Sequence, residues 1–182
     1  VADPDGDGTE VRIEYRQPGS DRWSIALTDT IGPDSAASPE TSPLWRGGEG
    51  KWSTAEVAEG GYEVRAIATD RISNHPGEGR EDSSERSLLI VVDRTPPEIA
   101  TSEMPDGTIE IRVQDRHSSI RRLEIRDDGD LRFLARPVDG VCDSARETFH
   151  IRSQDGTDDG AALVLRAIDA AGNVAERRLG EP

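Results

Sequence analysis

Tyr62-Glu63-Val64-Arg65-Ala66-Ile67 and Leu163-Val164-Leu165-Arg166-Ala167-Ile168 are two copies of one pattern. Apolar residues alternate in each: Tyr62, Val64 and Ala66 in the first, Leu163, Leu165 and Ala167 in the second. A period of two puts these side chains on one face of a β-strand and turns Arg65 and Arg166 to the other. Each copy runs into an aspartate, Asp70 or Asp169, and then an asparagine in a turn, Asn74 or Asn173. A repeat at this spacing predicts related β-modules in tandem rather than one large domain.

Between the copies, Leu88-Leu89-Ile90-Val91-Val92 reads as a closing strand, followed by Asp93-Arg94-Thr95-Pro96-Pro97. Neither proline can donate a ladder hydrogen bond, and both hold the chain extended. The division predicted here is residues 1–95 for an N-terminal β-sandwich and 96–182 for a C-terminal one. In the second half Ile109, Ile111 and Val113 alternate. Leu123 and Ile125 lead through Asp127-Asp128-Gly129-Asp130 to Leu131 and Phe133, as a hairpin does. Phe149 and Ile151 mark a further strand, and a last one is expected near Arg177 to Leu179. With the segment at Ile99 this approaches the usual sandwich complement of about seven strands.

In the first half, Val11, Ile13 and Tyr15 form one arm of a hairpin and Trp23 and Ile25 the other. It matches the hairpin at Leu123 to Phe133, but no strands precede it. The fold expected is therefore all-β: two tandem Greek-key β-sandwiches, the first lacking its first one or two strands. Trp23, in an alternating strand, is expected in the core.

Composition narrows the functions open to such a chain. It has 182 residues, 33% hydrophobic, and a formal net charge of -15. Nucleic-acid binding is disfavoured, because phosphate contacts need a basic surface. The longest apolar run, Leu88 to Val92, is too short to cross a bilayer, so no membrane insertion is expected. A lone cysteine, Cys142, excludes an intrachain disulfide, and its acidic neighbours Asp139 and Asp143 disfavour the thiolate. A monomer is expected.

The sharpest chemical signal is Asp3-Pro4-Asp5-Gly6-Asp7-Gly8 with Glu14, which fits the calcium-loop spacing D-x-D-x-D-G-x5-E. Alternating carboxylates on a glycine-turned loop can supply several of the oxygens calcium needs. Val11 to Tyr15 alternates as a strand, which argues against the helix an EF-hand requires, and a plain polar turn explains the same residues. Among the tryptophans, Trp45 lies in a Ser-, Pro- and Gly-rich loop and is the candidate anchor for a glycan or protein partner; packing onto the core is the competing reading. His75, His117 and His150 have no metal-ligand spacing, and no G-x-S-x-G element is present. No catalytic residue is assigned, and calcium is the one cofactor considered.

Several stretches together resemble the tandem fibronectin type III or immunoglobulin-like modules of large bacterial secreted proteins. They are Gly60-Gly61-Tyr62-Glu63-Val64-Arg65-Ala66, the Asp93-x-Thr95-Pro96-Pro97 junction and Ala167-Ile168-Asp169-Ala170-Ala171-Gly172-Asn173. The resemblance implies a tyrosine-corner hydrogen bond from Tyr62, which Leu163 cannot make. It also implies a secreted, cell-surface or periplasmic setting. The function implied is a non-catalytic structural spacer or protein-interaction module of a larger protein. The alternative is a glycan-binding or adhesion module, stiffened by calcium.

Overall fold

The computed structural model describes residues 8–31, 51–84, 87–127, 129–152 and 163–179. All regular structure among these residues is β-strand. The order is β1 Thr9–Arg16, β2 Ser24–Ile31, β3 Gly60–Thr69, β4 Glu81–Ser83, β5 Leu88–Val92, β6 Glu98–Glu103, β7 Thr108–Gln114, β8 Ile120–Asp127, β9 Asp130–Ala135, β10 Arg146–Arg152, β11 Leu163–Asp169 and β12 Val174–Arg178. The chain divides into two compact units, Val1–Ile90 and Val91–Pro182, so the break falls inside β5 and ahead of the prolines. One contact explains why the break comes early. The Asn173 side-chain amide donates to the Asp93 carbonyl at 3.3 Å, tying the segment before Thr95 to the second unit.

The first unit holds one antiparallel sheet, β2-β1-β3-β4, with β5 also paired to β3. Register follows the alternation of the sequence. Ile13 lies opposite Ala66 and Tyr15 opposite Val64, while Glu14 lies opposite Arg65 and Arg16 opposite Glu63. Along Ile13 to Arg16 one face is therefore apolar and the other carries charge pairs, and Ile67, opposite Arg12, is buried on the charged side. Val57, Tyr62, Ile67 and Ala68 are buried. The Tyr62 hydroxyl donates to the Ala58 carbonyl at 2.9 Å, the bond its place at the start of β3 implies. Tyr15 stacks on Trp52 at 4.6 Å and meets the Tyr62 ring edge-on at 5.6 Å.

Trp23 departs from the expectation of a core position. It lies just ahead of β2, half-buried, with the Arg16 guanidinium 4.4 Å and the Arg65 guanidinium 4.0 Å from its ring centre. Attraction of both cations to the indole face holds it on the charged side of the sheet.

In the second unit two antiparallel sheets, β10-β7-β6 and β12-β11-β8-β9, share one core. Ile111, Val113, Phe149 and Ile151 come from the three-stranded sheet. Ile120, Leu123, Ile125, Leu163, Leu165 and Ala167 come from the four-stranded one. The layering is that of a β-sandwich. The repeat seen in the sequence is a repeat of position: β2-β1-β3-β4 in the first unit corresponds to β9-β8-β11-β12 in the second. The three-stranded sheet has no counterpart among the described residues of the first unit.

A second shared feature sits on the strand beside each repeat copy. Arg12-Ile13-Glu14-Tyr15-Arg16 in β1 and Arg122-Leu123-Glu124-Ile125-Arg126 in β8 each place a glutamate between two arginines on one face. The strand opposite adds a third, Arg65 or Arg166, in register. Glu14 is 9% exposed and Glu124 only 6%. Glu124 accepts from Arg122 and Arg126 at 2.8 Å each, with Arg166 at 3.6 Å. The arginine stems cover the carboxylate while their heads neutralise it.

The Glu124 carboxyl is held below its usual range, mainly by the Arg122 hydrogen bond; burial opposes this and Arg126 adds to it. A carboxyl whose pKa falls on folding stabilises the fold above its unfolded pKa, and that contribution is lost as pH drops through the folded value. Glu124→Gln should thus cost on the order of 1 kcal/mol near pH 7. The gap to wild type should close as pH falls below about 4.5 and the wild-type carboxylate is protonated. Thermal melts by circular dichroism from pH 7 down to pH 3 check this, and parallel curves for the two proteins would contradict it.

Candidate metal centre

Three aspartates distant in the sequence meet in the second unit. Asp93 follows β5, Asp115 follows β7, and Asp169 ends β11. One oxygen from each lies within 4.8 Å of the others. Local backbone chemistry aims all three. Asp93 Oδ1 accepts from the Thr95 amide at 3.0 Å, which turns the chain into the prolines. Asp115 Oδ1 accepts from the His117 and Ser118 amides at 2.8 Å each, folding the connection between β7 and β8. Side-chain closure of a turn in this way is a common use of aspartate.

Asp169 is fully buried, at 0% exposure. Asp169 continues the buried face of Leu163, Leu165 and Ala167 along β11, and the ladder between β11 and β8 shifts register at Ile168/Asp169. The turn that follows returns through Gly172, whose φ of 94° suits glycine, to Asn173. The Asn173 backbone amide donates to Asp169 Oδ1 at 2.8 Å and its side-chain amide to Oδ2 at 2.9 Å. The conserved spacing within the chain, Asp70 to Asn74 and Asp169 to Asn173, is thus a turn-closing pair. In the first unit the Asn74 amide reaches the Asp70 carbonyl instead, at 3.2 Å.

Among the described residues, the hydrogen bonds to these carboxylates come from neutral groups: backbone amides, the Ser118 hydroxyl and the Asn173 carboxamide. Asp93 Oδ2 and Asp115 Oδ2 are buried and accept no hydrogen bond. The three side chains are the acidic group whose ligand atoms converge among the described residues.

The residues singled out by sequence lie elsewhere. Asp3, Asp5, Asp7 and Trp45 fall outside the described residues. Glu14 is on β1, where its Oε2 takes two hydrogen bonds from Arg65, at 3.0 and 2.8 Å, and its Oε1 lies 3.7 Å from Arg12. That carboxylate is already neutralised by protein cations. Burial pushes the Cys142 thiol pKa up, and Glu147, Asp139 and Asp143 add to the effect. His150 lies 3.7 Å from Glu110 on the outer side of β10.

No protein-family model, curated protein sequence or solved structure matches the chain.

Proposed function

We propose that the chain is a non-catalytic structural spacer or protein-interaction module of a larger bacterial secreted or cell-surface protein, built from tandem fibronectin type III or immunoglobulin-like units. The observation that carries this reading is the repeated four-strand order with its buried Arg-x-Glu-x-Arg glutamate in both units. The second unit adds support. It has three strands in one layer and four in the other, with the chain passing from one layer to the other between β9 and β10, as in fibronectin type III modules. Repetition of one scaffold serves length and presentation better than it serves a single reaction centre. Exposure of Leu88, Leu89 and Val91 along β5 favours a protein partner over a purely mechanical role.

The test is an activity survey of the whole chain against ester, glycoside, phosphoester and peptide substrates. No turnover above a heat-inactivated control is expected. Turnover proportional to protein concentration would overturn the reading.

A further inference from the structure

We propose that Asp93, Asp115 and Asp169 bind a single calcium ion in the second unit. The first observation is convergence: one oxygen from each carboxylate lies within 4.8 Å of the others. The second is independent of it. Asp93 Oδ2 and Asp115 Oδ2 are each buried from water and accept no hydrogen bond, beside an Asp169 side chain that is itself fully buried. Buried acceptors in folded proteins are almost always satisfied, so a pair of orphans at one place points to a missing partner. A cation is the partner these three acidic side chains favour, because the hydrogen-bond donors around them are neutral groups.

Oxygen chemistry and span select calcium. Calcium takes six to eight oxygens at roughly 2.3–2.6 Å, so oxygens sharing one ion lie no more than about 5 Å apart. The cluster meets that limit and contains no histidine or cysteine, the ligands that mark zinc sites. Magnesium demands near-octahedral order and keeps most of its water, which suits three carboxylates on separate turns poorly. The ion would tie together the segment entering β6, the β7–β8 connection and the β11–β12 turn; the first two are shaped by hydrogen bonds that leave Asp93 Oδ2 and Asp115 Oδ2 unpartnered, and Asn173 holds both oxygens of Asp169 in place. The proposal stands apart from the spacer reading, since turnover would overturn that reading and leave this one intact.

Calcium chloride is titrated into chelator-treated full-length chain by calorimetry, and thermal unfolding is followed by far-ultraviolet circular dichroism and by tryptophan fluorescence. Trp23, Trp45 and Trp52 all lie in the first unit, so fluorescence is blind to the second. At calcium about 100-fold above Kd, the transition seen only by circular dichroism should rise by roughly 10–20 °C. The fluorescence transition should stay in place, and magnesium chloride should do less. Asp93→Asn and Asp115→Asn should each abolish the rise, while Asp5→Asn keeps it. In chelator, Asp115→Asn should melt no lower than wild type, because one of three repelling charges is gone; this separates lost binding from misfolding. Absence of heat and of any shift at 10 mM calcium would overturn the proposal. A shift that survives both Asn variants, or that vanishes in Asp5→Asn, would do the same.

Discussion

Phe149→Ala should lower the unfolding midpoint of the second unit steeply while the tryptophan transition of the first stays in place. Phe149 is fully buried, on β10 opposite Ile111, and it is the largest inaccessible side chain among the described residues. It packs among residues of both sheets, including Leu123, Ile125 and Leu165. Removing a core phenylalanine costs about 3–5 kcal/mol, as lost transfer energy plus an unfilled cavity. A domain of this size holds only about 5–15 kcal/mol in all, so the midpoint should fall by roughly 15–30 °C. With every tryptophan and both tyrosines in the first unit, the loss should appear in far-ultraviolet circular dichroism alone. Leu134→Ala is the control: Leu134 is 57% exposed on β9, and a change there should stay within about 0.5 kcal/mol. A matching fall in the fluorescence midpoint of Phe149→Ala would show that the units do not unfold separately.

The architecture is legible in the sequence because β-strands write their burial in a period of two. Tyr62, Val64 and Ala66, or Leu163, Leu165 and Ala167, lie side by side in the chain and on one face in space. The candidate metal centre is not legible for the opposite reason. Asp93, Asp115 and Asp169 belong to separate turns, and each turn looks ordinary alone: Asp-x-Thr before the prolines, Asp-x-His-Ser after β7, Asp-x-x-x-Asn after β11. Only the pairing of β11 with β8 and the hold of Asn173 on Asp93 bring them together. Local density of acid points instead to Asp3, Asp5 and Asp7, which precede β1 as Asp115 precedes β8.

Trp23 and Glu124 are missed by a shared assumption, that large apolar residues go in and charges go out. Trp23 follows its neighbours, because Arg16 and Arg65 form a surface the indole can lie on. Glu124 is buried by the arginines that pair with it, not by the hydrophobic core. The signal for it is present in the sequence, in the two Arg-x-Glu-x-Arg runs. It becomes specific only once the register sets Arg65 opposite Glu14 and Arg166 opposite Glu124.

Tyr62→Ala should be the most damaging single change in the first unit, and Tyr62→Phe should separate its causes. Tyr62 is 4% exposed, and Ala68, the other buried apolar residue on its face of β3, is small. Its ring supports Tyr15, which in turn carries Trp52. By the scale for buried aromatics, truncation to alanine should cost about 3–5 kcal/mol and drop the tryptophan-fluorescence midpoint by at least ~12 °C. The second unit, where Leu163 holds the equivalent place at 4% exposure, should keep its circular-dichroism transition. Tyr62→Phe keeps the ring and removes only the hydroxyl that donates to Ala58, at a cost of about 1 kcal/mol. The small effect of Phe beside the large effect of Ala would assign the stability of this unit to ring packing. If Tyr62→Phe instead falls as far as Tyr62→Ala, the bond from β3 back to Ala58 closes the unit, and the ring is secondary.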